Sequence, residues 1–219
     1  MSATTTDLTR LVTVDADEAA QDVLLRRLTQ SSALLTGHFA LHRGRHSTAA
    51  LRFRGLGRDP VFMRTAIDAI VARAPEELTR ALAGAKVLTP ESSGFFLGRA
   101  LAARHGTSHV VARTDLRRLP TKTLVAGAIE PNDRVVLAND IASTGASLER
   151  LRELVVERGG LVVGVVLFAA IGSAGIQQYA ARWQLPSRWL VTAQWKTYSP
   201  EICPGCRAGE PLISVTEFV

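Results

Sequence analysis

A short polar segment at 139–147 carries the residue types in this chain best suited to binding a phosphorylated ligand. Asn139 and Asp140 directly follow the apolar, β-branched run 135–137, which is typical of a buried strand in a parallel sheet. The small residues of the segment are Ser143, Thr144, Gly145, Ala146 and Ser147. Backbone amides at such a turn, with the N-terminus of the helix predicted to follow, form a phosphate-binding site. Asp140 is placed to accept hydrogen bonds from hydroxyl groups of the same ligand.

The pattern excludes two common nucleotide-binding loops. A Walker A loop needs a lysine and a Rossmann turn needs G-x-G-x-x-G, and both features are missing. An ordinary strand–loop–helix with a polar turn is the alternative interpretation. The segment resembles the signature with which type I phosphoribosyltransferases bind 5-phosphoribosyl pyrophosphate (PRPP), in which two acidic residues precede a Thr/Gly-rich phosphate loop. The first acidic position differs, because this chain has Asn139 there.

A second resemblance narrows the branch of the family. Phe39 and Leu41 alternate with other residues, and Gly44 is typical of a hairpin turn, so the sequence predicts an antiparallel hairpin that ends near Phe53. This stretch is similar to the N-terminal hood of orotate phosphoribosyltransferases, whose pattern is G-x-F-x-L-x-S-G-x-x-S. The chain is therefore identified as a member of the orotate-type branch.

The resemblance implies the ligands and the residues of the site. PRPP is the donor, Mg²⁺ binds mainly through PRPP, the 5-phosphate lies at 143–147, and the ribose hydroxyls meet Asn139 and Asp140. The turn at 90–94 matches the pyrophosphate loop of the family. The residues implied to contact pyrophosphate are Ser92, Ser93, Arg113, Arg117, Arg118 and Lys122. Of these, Arg117 and Lys122 join Asp140 and Asn139 as implied catalytic residues.

The basic residues lie in or beside segment 114–129, which in this family is a mobile lid. Lid closure would exclude water and prevent hydrolysis of PRPP. In the family the lid residues serve the site of the neighbouring subunit, which implies a homodimer. A solvated loop is the alternative interpretation of this run of charge.

The acceptor pocket departs from the family pattern. The Asp-Arg pair that grips the orotate carboxylate is absent after the strand predicted at 161–169, where the chain reads Phe168-Ala-Ala-Ile-Gly172. Ser47-Thr-Ala-Ala-Leu51 stands where an aromatic pair is expected, and His42 replaces a basic residue. Loss of a bidentate carboxylate clamp removes much of the specificity for orotate. The sequence therefore predicts an acceptor other than orotate, neutral or cationic, such as an amine or hydroxyl of a secondary metabolite, with Glu91 as a candidate partner for a cation.

Alternating strands and helices predict an α/β fold, with a mostly parallel sheet flanked by helices and a small hood. We expect a flexible tail at 1–16 and one phosphoribosyltransferase domain at 17–219, with its hood at 17–58 and a C-terminal tail at 195–219. The predicted helices cover 17–35, 60–73, 95–105, 147–158 and 173–183. A strand begins at Lys86 and precedes the turn at 90–94, and the other predicted strands of the sheet cover 109–113, 135–137, 161–169 and 188–194.

Composition limits the other classes of function. The chain has 219 residues, 47% of them hydrophobic, with a net charge of +6. The basic residues are scattered and few aromatic residues lie between them, so we expect no nucleic-acid partner. No apolar run is long enough to span a bilayer and the N-terminus lacks the pattern of a secretory signal, so we expect a cytoplasmic protein without a membrane partner.

The tail holds both cysteines, Cys203 and Cys206, in a C-x-x-C pair. A tetrahedral zinc site needs four ligands, and no second cysteine pair exists. A metal would need histidines or a partner chain. A structural pair, a redox pair and a metal site all stay open, with no metal ligand assigned.

Three functions compete at this point. They are a phosphoribosyltransferase with an altered acceptor, an orotate phosphoribosyltransferase with a divergent pocket, and a PRPP-binding regulator that has lost catalysis. Asn139 favours the regulator, and the retained basic lid favours an enzyme. Fold alone does not choose among them.

Overall fold

The computed structural model describes residues 10–41, 44–116, 118–172, 179 and 181–214. The helices are α1 (Glu18–Gln30), α2 (Pro60–Ala72), α3 (Glu76–Leu82), α4 (Phe95–His105), α5 (Ala146–Glu157) and α6 (Pro204–Arg207). The strands are β1 (Val12–Val14), β2 (Leu34–Ala40), β3 (His46–Leu51), β4 (Lys86–Pro90), β5 (His109–Thr114), β6 (Pro120–Ala126), β7 (Arg134–Ala142), β8 (Leu161–Ile171), β9 (Ser187–Ala193), β10 (Thr197–Tyr198) and β11 (Ile213–Ser214). None of the helices within these ranges combines the length and apolarity needed to cross a lipid bilayer.

The larger sheet has seven strands in the order β1-β9-β8-β7-β4-β5-β6. Its five central strands are parallel, and β1 and β6 pair antiparallel at the two edges. The predicted α/β fold with a mostly parallel sheet is therefore confirmed. Parallel strands bring their carboxyl ends to one edge, so the loops after β4, β7 and β8 meet there.

Alternation along β7 fills a core on both faces of this sheet. Val136 and Ala138 belong to the core cluster that includes residues of α1 to α4, whereas Val135 and Leu137 belong to the cluster that includes residues of α5. All four side chains are fully buried, as expected for a central strand of a parallel sheet. The same strand is longer than predicted, and it carries Asn139 and Asp140 near its carboxyl end.

The smaller sheet forms the hood and has the order β10-β3-β2-β11. The predicted hairpin is confirmed as β2 and β3, which pair antiparallel. The C-terminal tail supplies both outer strands, with Thr197 opposite Ser47 and Ile213 opposite Phe39. The hood is thus assembled from two segments that lie far apart in the sequence.

Several predicted bounds are corrected by the structure. The tail predicted at 1–16 is wrong for Val12–Val14, because these residues form the edge strand β1, with both valines buried against β9. The first helix ends at Gln30 rather than 35, since Leu34 begins β2. The sequence also failed to predict α3, and β6 was included in the lid. The predicted helix 173–183 lies mostly outside the described residues.

Candidate active site

A cavity of about 1590 Å³ opens between the hood and the carboxyl edge of the large sheet. The loops after β4 and β7 form one side of it, and the hood with the C-terminal tail forms the other. The predicted residues that line this cavity are Ser92, Ser93, Arg118, Asn139, Asp140, Ser143, Thr144, Gly145, Ala146 and Ser147. The structure therefore brings most of the predicted site residues together.

The β7–α5 loop has the geometry of a phosphate-binding turn. Gly145 adopts the left-handed conformation at φ 74°, and no side chain of the described residues caps the start of α5. A Cβ at Gly145 would lie 2.3 Å from ring carbons of Tyr179, so only glycine fits here. The first amides of α5 are thus left for a ligand, where the positive end of the helix dipole favours an anion.

The β4–α4 loop repeats this geometry on the neighbouring strand. Gly94 is also left-handed at φ 77° and precedes α4, which likewise has no side-chain cap among the described residues. A Cβ at Gly94 would lie 2.8 Å from the Cα of Asn139, which shows how closely this loop approaches β7. Ser92 and Ser93 lie in this loop. Two anion-binding helix starts therefore face one cavity, as a ligand with two separate phosphate groups requires.

Asp140 is the one acidic side chain among the described residues that line the cavity. Its Oδ1 accepts the backbone N–H of Ile141 at 2.6 Å, and Asn139 Oδ1 accepts the N–H of Asp140 at 2.9 Å. Burial raises the pKa of Asp140 from 3.8 to about 6, against the opposing effect of the amides of Ile141 and Gly94. The carboxyl group is thus ionised at neutral pH. Because its charge is partly removed from water, it should bind a ligand that donates hydrogen bonds.

Asn139 lines the cavity, and its side chain is also hydrogen-bonded within its own chain. Its side chain is 3% exposed, and its amide oxygen is used by the backbone of Asp140. Asn139 therefore lines the cavity chiefly as a support that orients Asp140.

The basic residues predicted for the pyrophosphate divide into two groups. Arg118 lines the cavity, at the tight turn between β5 and β6. Arg113 and Lys122 do not line it, and Lys122 Nζ is paired with Glu157 at the far end of α5. Lys122 therefore does not reach the cavity of its own chain, and its contact with pyrophosphate stays a prediction. Arg117 lies outside the described residues.

Several cavity residues were not predicted as site residues. Arg150 reaches the cavity from the second turn of α5, while Arg45, Arg52 and Arg54 come from the hood and Lys196 from the tail. In the sequence the hood arginines are scattered among other residues, so their position at the cavity could not be recognised. Glu91, considered as a partner for a cationic acceptor, instead accepts the N–H of Thr114 at 2.8 Å and does not line the cavity.

The parallel sheet, its hood and the two glycine-led loops together define a type I phosphoribosyltransferase. Among curated relatives, the orotate phosphoribosyltransferase of Sulfurimonas denitrificans is 30% identical over 196 residues, which cover 84% of this chain and 92% of that protein. That of Thermus thermophilus is 29% identical over 194 residues, covering 88% and 99%. The chain therefore belongs to the phosphoribosyltransferase family, in its orotate phosphoribosyltransferase-like branch, and it is a PRPP-dependent enzyme. No protein-family model matches it.

Solved structures agree on the fold. Orotate phosphoribosyltransferase from Aeropyrum pernix is 24% identical, with a TM-score of 0.63 over 76% of this chain and 92% of that one. Adenine phosphoribosyltransferase from Rhodothermus marinus is 25% identical, with a TM-score of 0.58 over 79% and 98%. Because the two neighbours are named for different acceptors, the shared fold leaves the acceptor open.

Proposed function

We propose that the enzyme transfers the 5-phosphoribosyl group of PRPP to an acceptor other than orotate and releases pyrophosphate. The observation that carries the use of PRPP is the meeting of two uncapped helix starts and one carboxyl group in a single cavity. The choice of acceptor rests on the apolar end of β8.

PRPP is proposed to bind with its 5-phosphate at the start of α5 and its pyrophosphate at the start of α4. The amides and hydroxyls of 143–147 would receive the phosphate, and Ser92, Ser93 and Arg118 the pyrophosphate. Asp140 lies between the two loops, where its carboxylate would accept hydrogen bonds from the ribose hydroxyls. This placement gives every predicted cavity residue except Asn139 a direct role in charge or hydrogen bonding.

The reaction would be a displacement at C1 of the ribose. The bond to pyrophosphate breaks as the acceptor nucleophile approaches from the opposite face, and its lone pair forms the new bond. Positive charge develops on the ribose ring, and the ionised Asp140 would stabilise it through the hydroxyls. Asn139 contributes no charge, so this stabilisation is weaker than a pair of acids would give.

The residues of the cavity fit a magnesium ion held mainly by the substrate. Mg²⁺ prefers oxygen ligands and keeps light protein contact when it bridges phosphates. The described lining offers Asp140 and several hydroxyl groups, but no second carboxylate. When bound, the ion would supply positive charge to the leaving pyrophosphate.

The end of β8 supports an acceptor other than orotate. Ile171 and Gly172 line the cavity there, where the resemblance expects an arginine. The basic side chains of the cavity would repel the cationic acceptor that the sequence suggested. These side chains are Arg45, Arg52, Arg54, Arg118, Arg150 and Lys196. We therefore propose an amine or hydroxyl nucleophile on a metabolite whose remainder is neutral or anionic.

The test measures pyrophosphate release from PRPP and Mg²⁺ with orotate and with a panel of amine- and hydroxyl-bearing acceptors. We expect turnover with a member of the panel and none above background with orotate. Robust turnover of orotate would overturn the proposed acceptor. Asp140→Asn is the inactive control, which separates enzymatic release from spontaneous hydrolysis of PRPP.

One observation favours orotate as a second candidate. Arg54 and Lys196 line the hood side of the cavity, where they could bind a carboxylate in place of the missing arginine. In that case Lys196→Ala would raise the KM for orotate at least about tenfold and leave the KM for PRPP unchanged. Calorimetry with PRPP and Mg²⁺, followed by the turnover assay, checks that binding of PRPP leads to release of pyrophosphate.

We also propose a homodimer, following the family. Arg113 is exposed on β5 and outside the cavity of its own chain, which suits a role at a neighbouring site. Light scattering of the purified protein should give twice the chain mass. A monomer with full activity would refute this proposal.

A further inference from the structure

Four metal-ligating side chains meet at the outer end of the hood. His38 comes from β2 and His46 begins β3, whereas Cys203 directly precedes the short helix α6 of the tail and Cys206 lies within it. One potential ligand atom from each of the four lies within 4.8 Å of all the others. His38, His46 and Cys203 are buried, and Cys206 is exposed. No step of the proposed phosphoribosyl transfer uses this cluster.

The distances within the cluster fit a tetrahedral metal site. The Nε2 atom of His38 lies 3.0 Å from Nδ1 of His46, 3.4 Å from Sγ of Cys203 and 3.6 Å from Sγ of Cys206. Cys206 Sγ lies 3.2 Å from His46 Nδ1. Zinc bond lengths of about 2.0–2.1 Å to nitrogen and about 2.3 Å to sulfur place tetrahedral ligands about 3.4 to 3.8 Å apart. A small adjustment of these side chains would therefore admit a cation at their centre.

The surroundings of His38 prepare its Nε2 atom for a metal. Its other ring nitrogen, Nδ1, lies 3.0 Å from the backbone oxygen of Glu210, so Nδ1–H donates and Nε2 keeps a lone pair. Hydrogen bonds of this kind orient metal-bound histidines in proteins. Gly205, between the two cysteines, lies flat against the ring, since a Cβ there would be 2.6 Å from His38 Cγ. The cysteine turn is thus shaped around the histidine.

We propose that His38, His46, Cys203 and Cys206 form a structural zinc-type site that fastens the C-terminal tail to the hood. Two cysteine thiolates and two neutral imidazoles match the preference of Zn²⁺, and two thiolates balance its charge. All four ligands come from the protein, which leaves no open position for catalysis. In the sequence the cysteine pair offered only two of the four ligands that a tetrahedral site needs. The hood supplies the other two, His38 and His46.

The site would stabilise a junction that is otherwise weak. The tail strands β10 and β11 contain two residues each, which gives few hydrogen bonds to hold them. A metal bound by both His38 and Cys206 would link two residues that are 168 positions apart in the sequence and so close a long loop. Closing so long a loop removes much conformational freedom from the unfolded chain. The segment fixed in this way includes Trp195 and Tyr198, which line the active-site cavity.

The experiment measures metal content and coordination in the full chain, purified without an affinity tag under reducing conditions. We expect about one zinc ion per chain and a Kd tighter than about 10 nM in competition with a chelating dye. Cobalt(II) in place of zinc should give thiolate charge-transfer absorption and the d–d bands of a tetrahedral site. The cobalt spectrum needs no variant, so it tests the proposal even where a substitution impairs folding.

Matched variants assign the ligands. Cys206→Ser and His46→Asn should each lower the bound zinc at least about tenfold, whereas His105→Asn on α4 should retain it. Removal of zinc should also speed tryptic cleavage after Arg207 at least about tenfold, because the tail is released from the hood. The proposal would be overturned if the protein neither retained zinc nor bound it on titration, or if all variants contained equal amounts of zinc. A Cys203–Cys206 disulfide that persists under the reducing conditions of the purification would also overturn it.

Discussion

Asp140→Asn should make the enzyme inactive and at the same time more stable at high pH. The carboxyl group has a pKa of about 6 in the fold and 3.8 in the unfolded chain, because burial disfavours its charge. Ionising it at pH 8 therefore costs the folded state about 3 kcal/mol. The amide keeps the Ile141 contact but loses one acceptor, which costs about 1 kcal/mol. The expected net gain in the free energy of unfolding is about 2 kcal/mol.

The sign of this effect reverses with pH. A carboxyl group with a raised pKa contributes stability that is present below 3.8 and is lost as the pH rises toward 6. Thermal unfolding without ligand should therefore show Asp140→Asn about 4 to 8 °C above the wild type at pH 8. Near pH 4 this difference should vanish or reverse slightly.

Activity and a matched control complete the test. Without the carboxylate, the ribose hydroxyls lose their charged acceptor, and turnover of PRPP should fall at least about a hundredfold. Asp68→Asn, at an exposed ion pair on α2, should change neither activity nor the pH dependence of stability. A stability difference that does not change with pH would refute the burial argument. Full turnover by Asp140→Asn would refute the assignment of the ribose site.

The remaining predictions concern a loop, a histidine and an ion pair. Gly145→Ala should weaken PRPP binding at least about tenfold by calorimetry, because alanine is strained at φ 74° and its Cβ meets Tyr179; unchanged affinity would contradict the role of this turn. Burial lowers the pKa of His109 to about 4, so the folded wild type loses stability as the pH falls from 6.5 toward 4. His109→Gln should therefore lose less stability than the wild type over this pH range. If the melting temperatures of the two proteins fall equally between pH 6.5 and pH 4, this prediction is refuted. Asp15→Ala should destabilise the fold by about 1 to 2 kcal/mol in chemical unfolding, because buried Arg188 loses the half-exposed carboxylate but keeps its hydrogen bond to the backbone oxygen of residue 15. A loss below about 0.5 kcal/mol would show that water replaces the carboxylate.

The central site was accessible from the sequence because its parts are local. The continuous apolar run from Val135 to Leu137 predicts a buried strand, and the turn at 143–147 begins directly after the end of that strand. The β4–α4 loop was predicted for the same reason, since strand, turn and helix are contiguous at 86–105. Parallel strands then bring both turns to the same edge.

Other features could not be predicted because they depend on contacts between distant residues. Val12 and Val14 form a strand only because β9 has a free edge beside them. Lys122 has the positive charge that a pyrophosphate contact needs, but in the fold β6 pairs with β5 and Lys122 forms an ion pair with Glu157. The electrostatics of the acceptor pocket arise where the hood, α5 and the tail meet.

The sequence by itself determined the α/β fold, the two glycine-led turns and the position of Asp140 just before one of them, since each depends on spacing within one segment. Only the tertiary structure decided the charge of the acceptor pocket and the union of two histidines with two cysteines. His38 and Cys203 are 165 positions apart, and no local pattern relates them. They meet because the tail adds the strands β10 and β11 to the two sides of the hood hairpin.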